Sequence, residues 1–165
     1  MFFPLVAGLS ILGPAVASGF YEIARRREAG LEAGWRHFLD PMLGRGRAGL
    51  AILTAGLAVL FVLWLALAWL IYSAIMGALP PVGLRDFMGQ LFTTTQGWMV
   101  IVLGNLVGLA LAIVTLAVSL VSFPMIVDKQ VDPLTAVETS VHAAMENPML
   151  TAQWGLRVAV LLALG

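Results

Sequence analysis

The sequence predicts an all-α, polytopic transmembrane helix bundle with three full spans, a truncated fourth and short interfacial helices. Three observations carry that expectation. Residues 1–20, 48–79 and 98–127 contain no charged side chain, and a hydrocarbon core of roughly 30 Å needs about 20 apolar residues at 1.5 Å per residue. The chain as a whole is 61% hydrophobic and 11% charged, with a mean hydropathy of +0.97, whereas a soluble domain is about half apolar and a quarter charged. Apart from Arg157, the charges that do occur are gathered in the connections between the apolar stretches.

The first span opens with Met1, Phe2, Phe3 and Pro4 and carries no cationic leader, so it reads as a helix that stays rather than as a cleavable signal. It runs abruptly into Tyr21, Glu22 and three consecutive arginines. The connection 21–47 holds Arg25, Arg26, Arg27, Arg36, Arg45 and Arg47, against Arg85 alone in 80–97. Positive charge marks the cytoplasmic side, which places 21–47 in the cytoplasm and, after two further crossings, 128–150 beside it. The second span, 48–79, exceeds a bilayer core in length, so it is expected to tilt, bend or project. In 80–97, Leu84, Phe87, Met88, Leu91 and Phe92 recur at i, i+3, i+4, i+7 and i+8, the spacing of a small helix lying in the interface.

After the third span, Asp132 and Pro133 occupy the positions of an N-cap and first helical residue. The helix they start is expected to run to about Glu146, with Leu134, Val137, Val141 and Met145 on its apolar side. A fourth apolar run begins near Thr151 and stops at Gly165, so residues 1–165 read as one transmembrane domain from a longer polypeptide. "DPML" at 40–43 returns as "NPML" at 147–150, which suggests a parallel repeat of two-helix hairpins or a coincidence of common residues.

Composition also excludes. Nine Lys and Arg balance nine Asp and Glu, which leaves no basic surface for nucleic acid. With no cysteine, disulfides, iron–sulfur ligation and thiol nucleophiles are ruled out. No Ser-His-Asp set, carboxylate pair or phosphate-binding glycine loop is visible, so no catalytic residue, metal or cofactor is expected. Glu138, His142 and Glu146 could in principle present a metal face, but i, i+4 pairing on a solvated helix explains them equally. Gly104, Asn105, Gly108 and Ala112 form a small-residue ridge in the third span, where a neighbouring backbone can approach and the amide can hydrogen-bond across the contact. A polar site on a solute path is the other reading of Asn105. The six arginines of 21–47 fix topology and offer a basic surface for anionic headgroups or an acidic partner. Arg157 is expected to snorkel to the interface beside Trp154.

Three stretches, "LGPAVASGFYEIARRREAG" with the tryptophan of "GWRHFLD", "TTTQGWMVIVLGNLVG" and "LVSFPMIVDKQVDPLTAVETSVHAAMENPMLTAQWGL", together resemble a bacterial family of predicted integral membrane proteins of unknown function. The resemblance runs along essentially the whole chain and implies additional helix at both ends. Members sometimes carry the label cytochrome c oxidase subunit I. Such a subunit holds haem iron and copper through histidines within its spans, and here His37 and His142 both lie in connections, so that chemistry is not expected.

The sequence therefore reads as a non-catalytic, multi-pass protein of the bacterial inner membrane. Membrane lipids and other membrane subunits are its expected partners. A structural or accessory role in a membrane complex, respiratory or energy-transducing, is the leading expectation, and a small-solute or lipid transporter or pore is the alternative. The topology is directly testable: reporters fused after Arg27 and after Asp128 should both report cytoplasm, and one after Arg85 the opposite side. Any other pattern refutes the assignment.

Overall fold

The computed structural model describes residues 17–44, 46–77 and 83–164. Most of the first expected span, residues 1–16, lies outside them, as does Arg45. Every regular element among the described residues is helical: α1 over 17–28, a 3₁₀ turn Trp35–His37, α2 Asp40–Leu43, α3 Arg47–Met76, α4 Leu84–Thr93, α5 Thr95–Ser119, α6 Ser122–Lys129, α7 Pro133–Glu146 and α8 Pro148–Leu164. The chain divides into two compact units, one holding the residues up to Ala58 together with those from Thr115 on, the other Val59–Val114. Two stretches are long and apolar enough to cross a membrane, Arg47–Met76 and Thr95–Lys129.

In the first unit the core is small. Leu50 and Leu53 of α3 meet Phe123, Ile126 and Val127 of α6 and Ala136 of α7, with Leu57, Met125, Val131 and Val137 packed around them. Glycine makes the approach possible: a Cβ on Gly49 would lie 3.3 Å from both Ile126 and Pro133.

The third expected span is not one helix. It breaks at Leu120 and Val121, where α5 gives way to α6. Pro124 supplies the local cause, since it has no N–H for the carbonyl of Leu120 and its ring crowds that turn. Apolar surroundings offer the loosened ladder no water, so its free groups need protein partners. Ser140 of α7 provides them. Its hydroxyl donates to the Ala117 carbonyl at 2.7 Å and accepts from the Val121 N–H at 3.1 Å, standing where the i→i−4 bond between those two residues would otherwise run.

Asp132 caps α7 as its sequence predicts, the carboxylate accepting from the N–H groups of Leu134 and Thr135 at 2.9 and 3.3 Å. The helix closes at Glu146 because Asn147 precedes Pro148 and is pushed out of helical geometry. The face it buries differs in part from expectation: Val137 and Val141 are half-buried, Val137 against the core. Ala136, Ser140 and Ala144 are buried, whereas Leu134 and Met145 are 67% and 74% exposed. Small residues at i, i+4 and i+8 set the contact because they let α7 come close enough for the Ser140 hydroxyl to reach the backbone of α5. The two related tetrapeptides also differ in structure: "DPML" is a four-residue helix that ends before Gly44, and the Pro-Met-Leu of "NPML" is the first turn of α8.

The second unit contains a helix, α4, at the place where the sequence leads one to expect an interfacial helix. Gly77, with φ +93°, ends α3 in a left-handed conformation suited to glycine. Phe87 of α4 meets Tyr72 of α3 with ring centroids 6.1 Å apart. Leu84, Met88 and Phe92 stay exposed, as an apolar stripe would if lipid covers it. Thr94 forms the corner into α5, its hydroxyl donating to the Gln90 carbonyl and accepting from the Gly97 N–H. A Cβ on Gly97 would collide with the carbonyl oxygens of Gln90 and Leu91, so only glycine fits there.

The Ser140 hydroxyl yields a test. Ser140→Ala leaves a backbone donor and acceptor unpaired and should destabilise the chain by about 1–2 kcal/mol. Ser73→Ala, which removes a bond between Ser73 and the Leu70 carbonyl of its own helix, should cost less than about 0.5 kcal/mol. Denaturant unfolding in detergent measures both, and equal losses would remove Ser140 from its assigned role.

Candidate functional site

The densest array of polar groups among the described residues is the hairpin that follows the first apolar stretch. Its helix, α1, ends in a Schellman motif: Gly30, at φ +67°, bonds through its N–H to the Arg27 carbonyl at 3.1 Å, and Leu31 to the Arg26 carbonyl at 2.9 Å. Three arginines in the last turn also suit the negative end of the helix dipole. The chain then folds back, and Phe38 lies directly over Gly19, where an added Cβ would be 2.5 Å from the Phe38 carbonyl and 2.6 Å from its ring. Phe20 packs edge-on to Phe38 and Trp35, at 5.2 and 6.0 Å between centroids.

Opposite charges run through this hairpin as a chain. Glu22 is only 5% exposed and is bonded by two guanidinium groups. Arg25 grips it with both ends of the fork, Nε to Oε2 at 2.9 Å and Nη2 to Oε1 at 2.7 Å, and Arg26 adds Nε to Oε1 at 2.8 Å. The second arm of Arg26 reaches Asp40, Nη2 to Oδ2 at 2.9 Å. Asp40 in turn meets His37 Nδ1 at 2.9 Å, while His37 Nε2 accepts from Arg36 Nε at 3.2 Å. That pairing puts the imidazole proton on Nδ1, so His37 donates to Asp40. Arg36 completes the chain with an ion pair to Glu32. The Arg25 guanidinium beside Glu22 holds its carboxyl below the usual carboxylate range, against the opposing effect of burial and with help from Arg26. Arg25 is shifted up, chiefly by its bond to Glu22, and feels the charge of Asp128 as well.

A recess of about 140 Å³ lies beneath the pair, bounded by Glu22, Arg25 and Asp40 on one side and by Ile126, Val127 and Gln130 on the other. The hairpin is thereby set against α6. Glu22 takes three charge-assisted hydrogen bonds, which engage three of the roughly four lone-pair sites of its carboxylate.

The expected basic surface is thus mostly spent within the chain. Arg25, Arg26 and Arg36 are paired with carboxylates, the side chains of Arg27 and Arg47 have no partner among the described residues, and Arg45 lies outside them. The expected ridge of α5 divides. A Cβ on Gly104 would meet nothing within 4 Å, and one on Gly108 would come 3.4 Å from Trp64 Nε1. Asn105 and Ala112 are exposed, and the Asn105 amide donates to the Ile101 carbonyl of its own helix at 2.7 Å. On α7, His142 and Glu146 pair at 3.1 Å, and no group of three or more potential metal ligands converges among the described residues. Arg157, with Gln153 and Trp154, borders a recess between the ends of α7 and α8. The Glu22 pairs follow i, i+3 and i, i+4 spacing and could be read from sequence; the Arg26 to Asp40 bond, which closes the hairpin, has no such local signal.

The lowered Glu22 value fixes a pH dependence. Because the folded value lies below the unfolded one, its stabilisation is complete above the unfolded carboxylate range and fades as pH falls through the folded value, beginning below about pH 5. Glu22→Gln should cost about 1–2 kcal/mol at neutral pH and flatten that part of the acid limb. Thermal unfolding of both forms between pH 3 and 7 reads the difference; parallel curves would assign the acid sensitivity elsewhere.

In comparison with known families, the chain matches the model described as predicted integral membrane protein (DUF2189) over residues 2–128. The matched region contains the hairpin, α3, α4, α5 and most of α6, and stops short of the "NPML" segment. No curated protein and no solved structure matches the chain. A match over most of the chain, joined to two helices long and apolar enough to cross a membrane, places this protein in the DUF2189 family of predicted integral membrane proteins.

Proposed function

We propose that the chain is a non-catalytic, multi-pass protein of the bacterial inner membrane that serves as a structural or accessory subunit of a larger membrane complex. One observation carries this reading: four polar side chains along the two long apolar helices turn back onto their own backbones. Thr54 donates to Leu50, Ser73 to Leu70, Asn105 to Ile101 and Ser119 to Thr115. A solute path through a membrane is built from polar groups aimed across a cavity. These are satisfied locally, and what the helices offer outward is shape. Asn105 and Ala112 stand exposed on α5, with Gly104 half-buried beside them and open space where its Cβ would lie, the kind of surface on which a second helix packs closely. The hairpin contributes a neutralised, pre-formed platform on the side assigned to the cytoplasm.

The reading is tested at Gly104. Gly104→Ala should not lower the chain's own thermal stability, because an added Cβ meets nothing within 4 Å and alanine favours the helix, yet it should reduce recovery of co-purifying membrane subunits about tenfold in mild detergent. Undiminished recovery would remove the α5 face from the proposal. Specific solute flux through the reconstituted protein, abolished by Asn105→Leu with subunit recovery intact, would replace the proposal with a transporter.

A further inference from the structure

The first unit contains an apolar groove beside its small core and outside the charge network of the hairpin. It has a volume of about 470 Å³ and runs along the start of α3. Leu50, Ala51, Ala55 and Ala58 form its floor, and Ser18 and Met42 its far side. The alanines leave room that larger side chains would fill, and Met42 is a flexible, polarisable wall suited to an occupant without a fixed shape. Thr54 also lines it, but its hydroxyl is committed to the Leu50 carbonyl at 2.8 Å. Little polar recognition is on offer inside.

At one end stands Arg47, the first residue of α3. Arg25, Arg26 and Arg36 are matched by Glu22, Asp40 and Glu32, whereas Arg47 is exposed and its side chain has no anionic partner among the described residues. The charge therefore sits where a span leaves the hydrocarbon, and the apolar channel runs inward from it. From Arg47 to Ala58 the helix rises about 16 Å, close to the depth of one leaflet's hydrocarbon, roughly 15 Å.

The geometry points to a binding site for one anionic phospholipid, its phosphate on Arg47 and one acyl chain in the groove against Ala51, Ala55 and Ala58. A helix from another subunit would fill the apolar part and leave the arginine unmatched; an anionic lipid satisfies both ends. The assignment rests only on α3 crossing the membrane, and it stands whether or not the chain is an accessory subunit.

Native mass spectrometry of the full chain in mild detergent, titrated with 1-palmitoyl-2-oleoyl phosphatidylglycerol or with the phosphatidylcholine of the same chains, tests it. The chain should retain one phosphatidylglycerol in preference to phosphatidylcholine. Arg47→Gln should weaken that retention about fivefold, the worth of one arginine at an anionic surface. Arg27→Gln, which removes an equally unpaired charge away from the groove, should not. Ala55→Leu with Ala58→Leu, helical by circular dichroism, should lower retention by filling the groove while Arg47 remains. Glycerol 3-phosphate, the headgroup without chains, should not compete. The proposal is overturned by equal retention of the two lipids, by equal losses for Arg27→Gln and Arg47→Gln, by full retention in the filled-groove variant, or by competition from glycerol 3-phosphate. Loss of a protein partner rather than lipid on filling the groove would overturn it in favour of helix docking.

Discussion

Every backbone N–H and C=O withdrawn from water must find a partner inside the chain, and that requirement is most acute where a long apolar helix is interrupted. Pro124 interrupts the run from Thr95 to Lys129, and the Ser140 hydroxyl takes up the donor of Val121 and the acceptor of Ala117. Much of the first unit depends on that one substitution of a side chain for a ladder bond. Freed from the line of α5, α6 can turn Phe123, Ile126 and Val127 toward Leu50 and Leu53. The contact in turn requires α7 to lie close, which explains why its buried positions are Ala136, Ser140 and Ala144 rather than its leucine and methionine.

Charge obeys the same accounting. Glu22 sits at a nearly closed position on α1, where an unpaired carboxylate would be costly. Two arginines neutralise it, and one of them spans to Asp40, so the ion pairs fold the hairpin back on itself as well as hold it. The consequence reaches function: a triple arginine that looks in sequence like a field for attracting partners is largely consumed at home. Among the described arginines of 21–47, Arg27 and Arg47 remain without a carboxylate partner, in different settings, one on a helix end and one at the mouth of an apolar groove.

How much of this is legible in the sequence depends on the range of the interaction. The long apolar helices, the helix α4 and the Asp132–Pro133 cap rest on composition and local spacing, and the structure has them where those signals point. The break at Leu120 has a visible cause in Pro124, yet an unbroken span is the expectation when only charge is counted. The buried face of α7 is misread because large apolar residues are weighted above small ones, although in a closely packed helix pair the small ones mark the contact. Arg26 to Asp40, Gly19 against Phe38 and Ser140 against Ala117 join positions 14 or more apart in sequence; no local period encodes them.

Small residues serve opposite ends in the two units, and the contrast bears on what the protein presents to its surroundings. Gly49, Ala136, Ser140 and Ala144 are taken up by contacts within the chain. Gly104 meets nothing, and its neighbours Asn105 and Ala112 are exposed. A glycine in a helix interior costs about 1 kcal/mol relative to alanine, and the internal packing of α5 offers no compensation at position 104. Close approach by another helix is the ordinary compensation in a membrane. Among the described residues the space at Gly104 is open, and the proposed partner contact would use it.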